Sequence, residues 1–224
     1  MRLILVRHGQ SPSNIDRLID TTVPGPPLTE LGVAQAEALP ATLAGEEVDV
    51  IYASTMTRAL MTAEPLGRVR ALPVNVRDGL RELSAGDLEM RNDDASIQLY
   101  LATAFAWPAG DLELRMPGGE SGAEAFARYD AVVAEAAAAT SGTAVLVSHG
   151  AVIRMWVAGR ADNVDAQYVL DNPLGNTGVI VVEGDPVGGW HVDSWTDRIV
   201  GGLAVDSARG ADGPGGEPYD AVRR

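Results

Sequence analysis

The chain has 224 residues, of which 46% are hydrophobic, which suits one domain, with or without an appended cap, and a sizeable core. Asp and Glu total 31 against 17 Lys and Arg, a formal charge of -14, so the surface has no electrostatic means of collecting nucleic acid or an anionic membrane. Cysteine is absent, which excludes disulfides, thiolate metal sites and cysteine nucleophiles.

Leu3 to Val6 is an apolar, strand-forming run that empties into Arg7, His8 and Gly9, with Ser11, Ser13 and Asn14 just behind. It starts within a few residues of Met1 with no basic leader or long apolar stretch, so the expectation is a cytoplasmic protein without membrane insertion. Gly9 to Pro27 is rich in Ser, Pro, Thr, Gly and Asp and reads as a functional loop with at most a short helix. Thr29 then looks like an N-cap, and Leu31, Ala34, Gln35, Ala38 and Leu39 mark a helix to about Leu43. Val48 to Ala53 is a buried strand stopping at Ser54, and the residues after it predict a helix that carries Arg58 near its start, back at the rim of His8.

A short strand around Val74 leads into Leu80, Arg81, Glu82 and Leu83. Residues 84–117 read as a small cap of turns and loop, with Ile97 to Phe105 a helix over the site. Its apolar residues Ile97, Leu99, Leu101, Phe105 and Trp107 suit cap packing better than substrate contact. An alanine-rich helix runs from about Ala123 to Ala139, since alanine is the strongest helix former. Ala144 to Val147 is a second apolar strand, and it stops at Ser148, His149 and Gly150, where a helix opens. A strand at Val179 to Val182 and an edge strand around His191 follow, with His191 read as packed. Strands alternating with helices predict an α/β protein, a three-layer α/β/α sandwich with a mostly parallel central sheet. The domain is expected over residues 1–206, with a flexible tail at 207–224 that is dominated by Gly, Pro, Asp and Ala.

If the strands ending at Val6 and Val147 are neighbours, His8 and His149 face one crevice with Arg7 and Arg58, and Glu82 arrives from the loop after the short third strand. Open α/β sheets bind ligands at such a lip. Guanidinium forks match phosphate oxygens and stabilise transition-state charge, an unprotonated imidazole can attack phosphorus, and a carboxylic acid can protonate the leaving oxygen. The inventory therefore fits phosphoryl transfer. A metal site is the weaker reading, because the arginines would set cations beside a cation and no histidine has ligand spacing to another. On spacing alone Arg58 also fits a solvated helix arginine and Glu82 one surface glutamate among many. Arg154, one turn into the helix after His149, reads either as a phosphate contact or as the partner of an acid.

The run Leu5 to Asn14, with Arg7-His8-Gly9 at its centre, resembles the signature of the histidine phosphatase superfamily, the phosphoglycerate mutase-like fold. The resemblance continues through Leu28 to Gly32, Ser54 to Arg58, Leu80-Arg81-Glu82, Pro117 to Ser121, Val147 to Gly150 and Asn176-Thr177. It implies His8 as the nucleophile that becomes phosphohistidine, with Arg7, Arg58 and His149 completing the phosphate pocket. Glu82 would be the proton donor and Asn14 a phosphoryl contact, with Ser11, Thr177 and Arg154 as further substrate-binding candidates. No metal or organic cofactor is implied, the partner is a small-molecule phosphomonoester, and the fold often forms homodimers. The chain departs from the commoner pattern at Gly86 to Asp94, where an acidic run replaces a glycine and an aromatic. This run is similar to that of an actinobacterial subgroup usually labelled phosphoglycerate mutase-like.

Residues 84–117 offer only Arg91 and Arg115 as cations, with several acids beside them, which suits a mutase poorly because a mutase must grip a second anionic group. Phosphomonoester hydrolysis is therefore the expectation, ahead of a cofactor-dependent phosphoglycerate mutase and of a non-catalytic phospho-ligand-binding protein.

Overall fold

The structure is a computed structural model that describes residues 1–196. The tail expected at 207–224, and the end of the domain expected over 1–206, lie outside the described residues. Strands β1 (Arg2–Arg7), β2 (Val48–Ser54), β3 (Val74–Arg77), β4 (Thr143–Ser148), β5 (Val179–Asp185) and β6 (Gly189–Thr196) form one sheet in the order β3-β2-β4-β1-β5-β6. The first four in that order run parallel, while β5 pairs antiparallel with β1, and β6 with β5. The expected sandwich with a mostly parallel sheet is the fold.

Side chains alternate across a strand, and the alternation here divides the core in two. Ile4, Val6, Ile51, Ala53, Val145 and Val147 face α2 (Glu30–Thr42) and α3 (Thr57–Arg70), which contribute Leu39, Ala59, Ala63 and Leu66. Leu3, Leu5, Tyr52, Ala144 and Leu146 face the other way, towards α4 (Asp94–Ala106), α5 (Gly122–Ala139) and α6 (Gly150–Arg160). Crossovers from β1 to β2 and from β2 to β3 move along the sheet in one direction and the return to β4 in the other, so right-handed connections put their helices on opposite faces. Both layers are filled by fully buried aliphatics, each stabilising the fold by about 1.5–3 kcal/mol.

Residues 84–117 are integrated into one of these layers. Ala85, Leu88, Ile97, Leu101, Phe105, Trp107 and Met116 belong to the same continuous core as the sheet residues, so the cap shares the domain's interior. Two further short α-helices lie among the described residues: α1 (Pro12–Ile15), in the loop after β1, and α7 (Ala166–Asp171). No helix among the described residues is long and apolar enough to cross a membrane.

Candidate active site

β1 and β4 are adjacent, with Val6 opposite Val147 and Arg7 opposite Ser148, and the His8 N–H continues the ladder to the Ser148 carbonyl at 3.0 Å. The two His-Gly strand ends therefore share one lip, and the imidazole rings of His8 and His149 lie 5.1 Å apart. Gly9 is required there by close approach, since a Cβ on it would lie 2.7 Å from the Gly32 carbonyl oxygen at the start of α2.

His8 is buried, and its Nδ1 lies 2.7 Å from the carbonyl oxygen of Gly9. A carbonyl only accepts, so Nδ1 carries the proton and Nε2 the lone pair. That lone pair accepts the Nε–H of Arg58 at 3.1 Å. Burial first, then the guanidiniums of Arg58 and Arg7, hold His8 well below the usual imidazole range, so it is neutral at pH 7. His149 is lowered in the same way, by burial first and then by Arg58. Its Nε2 is 2.8 Å from Ser54 Oγ, while its Nδ1 is buried with no hydrogen-bond partner among the described residues.

Arg7 donates Nη1 to the Leu174 carbonyl at 2.7 Å. Arg58, in the first turn of α3, donates Nη2 to the Asp20 carbonyl at 2.7 Å, while its Nη1 lies 3.8 Å from Asp20 Oδ1 and makes no hydrogen bond among the described residues. Glu82 sits on the irregular segment after a 3-10 turn at Asp78–Leu80. The His149 side chain does not cap α6. Glu82 caps it instead: Oε1 accepts Val152 N–H at 2.8 Å and Leu83 N–H at 3.0 Å, and Oε2 accepts Ala151 N–H at 3.1 Å. A carboxylate from a distant loop thus satisfies orphan donors at a helix start and is aimed by them.

A pocket enclosing about 360 Å³ of empty space, mouth included, opens at this lip, and His149, fully buried, is not among the residues that line it. Arg7, His8, Ser11, Asn14, Arg58 and Glu82 line it. Asn14 Oδ1 accepts from Ser11 N–H at 2.9 Å and from Asn176 Nδ2 at 3.3 Å, tying the loop after β1 to the segment before β5. Two guanidiniums and a neutral, oriented imidazole line this one pocket, an arrangement chemically suited to an anion. Among the described residues, no group of three or more His, Asp or Glu side chains is arranged to hold a metal ion.

The model of the histidine phosphatase superfamily (branch 1) matches residues 3–198. The chain belongs to this superfamily. It is 35% identical over 219 residues to the PE-PGRS family protein PE_PGRS11 of Mycobacterium tuberculosis, covering 91% of this chain but spanning only 38% of that protein's length. It is 31% identical to a 2,3-bisphosphoglycerate-dependent phosphoglycerate mutase of Brucella ovis, over 80% of this chain and 90% of the mutase. A solved mycobacterial glucosyl-3-phosphoglycerate phosphatase in complex with VO3 superposes with a TM-score of 0.73 at 29% identity, covering 88% of this chain and 99% of its own.

Within this histidine phosphatase pocket, several expected residues stand elsewhere and several unexpected ones stand inside. Thr177 is buried beside the site, with Oγ1 donating to the Asn176 carbonyl, and does not line the pocket. Arg154 is fully buried away from the pocket wall, its guanidinium 4.7 Å from the Phe105 ring and bonded to the Val169 carbonyl. Of the cap's apolar residues, Ile97, Leu101, Phe105 and Trp107 are core and Leu99 is exposed, whereas Tyr100 reaches the pocket wall with its hydroxyl on the Leu83 carbonyl. His191 is on the edge strand but exposed, its Nδ1 2.8 Å from Asp162, so packing was the wrong expectation for it.

Sequence reasoning missed Ser13, Asp20 and Thr21, which also line the pocket. Ser13 Oγ donates to Asp20 Oδ2 at 2.5 Å. The acidic run after Glu82 explains how this loop is held. Glu89 accepts Thr21 N–H at 2.8 Å, Thr21 Oγ1 at 2.5 Å and Thr22 N–H at 3.1 Å, so the carboxylate grips backbone rather than facing substrate.

Proposed function

We propose that the protein is a metal-independent phosphomonoesterase that works through a phosphohistidine on His8. Arg58 turns its Nε–H from His8 to a phosphate oxygen, and the freed His8 Nε2 lone pair attacks phosphorus in line while the bond to the leaving oxygen breaks. Glu82 gives its proton to that oxygen, and Oε2, which accepts one bond against two at Oε1, is the atom to carry it. Arg7 and Arg58 hold the equatorial oxygens, and His149, behind the pocket wall, joins them through Nδ1 when Ser54 Oγ donates to its Nε2 and so leaves the proton on Nδ1. A water then attacks the phosphohistidine, Glu82 takes its proton, the P–N bond breaks back to Nε2, and phosphate leaves.

The observation that carries this reading is the 2.7 Å approach of His8 Nδ1 to the Gly9 carbonyl, which commits the ring proton there and leaves a neutral Nε2 beside Arg58, as a nitrogen nucleophile requires. Likeness to a Brucella mutase supports phosphoglycerate mutation as a second reading. Hydrolysis is favoured because Arg91 pairs with Asp93 and Arg115 with Glu124, leaving neither cap cation among the pocket-lining residues.

The test is turnover of a phosphomonoester panel in EDTA, including 3-phosphoglycerate with and without 2,3-bisphosphoglycerate, with His8→Ala as control. Phosphate release that His8→Ala abolishes supports hydrolysis. Isomerisation that needs the bisphosphate moves the assignment to mutase, and activity retained by His8→Ala refutes the nucleophile.

A further inference from the structure

Glu82 lies on a segment without regular secondary structure, between the 3-10 turns Asp78–Leu80 and Gly86–Leu88. Its carboxylate is aimed by the start of α6, but its backbone is fixed by something else. Arg128, on α5, donates Nη1 to the carbonyls of Gly79 and Arg81, both at 2.8 Å, and Nη2 to the carbonyl of Glu82 at 3.1 Å. The same guanidinium meets Glu120 in a fork, Nε to Oε2 at 2.9 Å and Nη2 to Oε1 at 2.8 Å. All five of its N–H donors are therefore committed. Glu120 Oε1 also accepts the Ser84 N–H at 2.7 Å, so the pair brackets Glu82 on both sides along the chain.

The pair is nearly buried, with side-chain exposures of 13% for Arg128 and 8% for Glu120, and neither residue lines the pocket. Loop and helix are in direct contact, since a Cβ on Gly79 would lie 2.4 Å from the Arg128 carbonyl oxygen. Lysine cannot replace this arrangement, because an ammonium is a point charge with three donors where a planar fork of five is in use.

We propose that the buried Arg128–Glu120 pair positions Glu82 for proton transfer, and so decides which leaving groups the enzyme can expel. The inference rests on the proton-donor role proposed above for Glu82. An alkoxide is a poor leaving group and needs its proton in the transition state, whereas an activated aryl oxide leaves without one. Displacing the acid by a fraction of an ångström then costs alkyl phosphates heavily and aryl phosphates little. Arg128 and Glu120 are positioning residues and touch no reacting atom.

The experiment compares kcat/KM for an alkyl phosphate and for 2,4-dinitrophenyl phosphate, with the inhibition constant of inorganic phosphate, in full-length wild type, Arg128→Lys, Glu120→Gln and Glu82→Gln. Glu82→Gln is expected to lose about 10²-fold or more on the alkyl substrate and far less on the aryl one. Arg128→Lys is expected to show the same asymmetry, roughly tenfold or more on the alkyl substrate, with phosphate inhibition unchanged. Equal losses on both substrates would make the pair structural only and overturn the proposal. Should Arg128→Lys fail to fold, Glu120→Gln, isosteric and retaining Arg128, is read by the same two outcomes. A Glu82→Gln variant without asymmetry would instead refute the acid role of Glu82.

Discussion

Arg58 donates its Nε–H to the Nε2 lone pair of His8 at 3.1 Å, so the cation and the proposed nucleophile are partners in the free protein. A cation there opposes protonation of the imidazole, and after burial it is the largest cause of the lowered His8 pKa. Arg58→Met removes the charge, so the pKa of His8 should rise towards the usual imidazole value. NMR titration of the His8 ring checks this directly, with turnover falling about 10²- to 10³-fold in the same variant. An unchanged titration midpoint would leave burial and Arg7 to account for the shift.

Both site histidines should also make the fold acid-sensitive. Their folded pKa values are lowered, so below the unfolded value of about 6.5 the unfolded chain binds protons that the native one refuses. Stability is therefore unaffected by them above that pH. It falls as pH drops below it, by about 1.4 kcal/mol per pH unit for each histidine, until the folded pKa is reached. Urea unfolding between pH 7.5 and pH 5 measures the slope, and His8→Ala should remove about half of it.

The positions of His8, His149 and Arg58 were legible because each follows an apolar run or opens a helix, and such punctuation survives in one dimension. Glu82 was only weakly legible from spacing, as one glutamate among many, and resemblance strengthened it, because what makes it special is the α6 N-terminus that reaches it from 69 and 70 residues away. Asp20 and Thr21 were hidden for the same reason. They enter the pocket because Arg58 binds the Asp20 carbonyl and Glu89 holds Thr21, contacts that no local pattern encodes. Arg154 was placed correctly on its helix, but the ring of Phe105 takes its guanidinium into the core. The six-residue α7 passed unnoticed because it is too short to show a period.

Asp20 sets a carboxylate into a pocket shaped for an anion. Its side chain is 7% exposed and lies 3.8 Å from Arg58 Nη1, so a bound phosphate dianion would share that cation with it. Asp20→Asn keeps the volume and removes the competing charge. Inorganic phosphate is then expected to inhibit about tenfold more tightly or better, since a like-charge contact at about 4 Å costs about 1 kcal/mol in water and about 4 kcal/mol near a protein surface. Weaker inhibition would mean that Asp20 acts mainly by orienting Arg58.

Gly25 is where backbone conformation and the Arg58 guanidinium meet. Its φ of +65° belongs to the left-handed region, where an L side chain costs roughly 1–2 kcal/mol. A Cβ on it would also lie 2.7 Å from Arg58 Nη1 and 3.2 Å from the terminal methyl of Met56. Both neighbours are ends of flexible side chains, so the fold can absorb the intrusion by moving them. Arg58 then leaves the geometry that serves His8. Gly25→Ala should therefore lower kcat by about tenfold or more through misplaced transition-state charge, while thermal stability falls only by the backbone term. Circular dichroism melting alongside kcat separates the two, and a loss of stability with kcat intact would show that Arg58 finds its place without the space that Gly25 leaves.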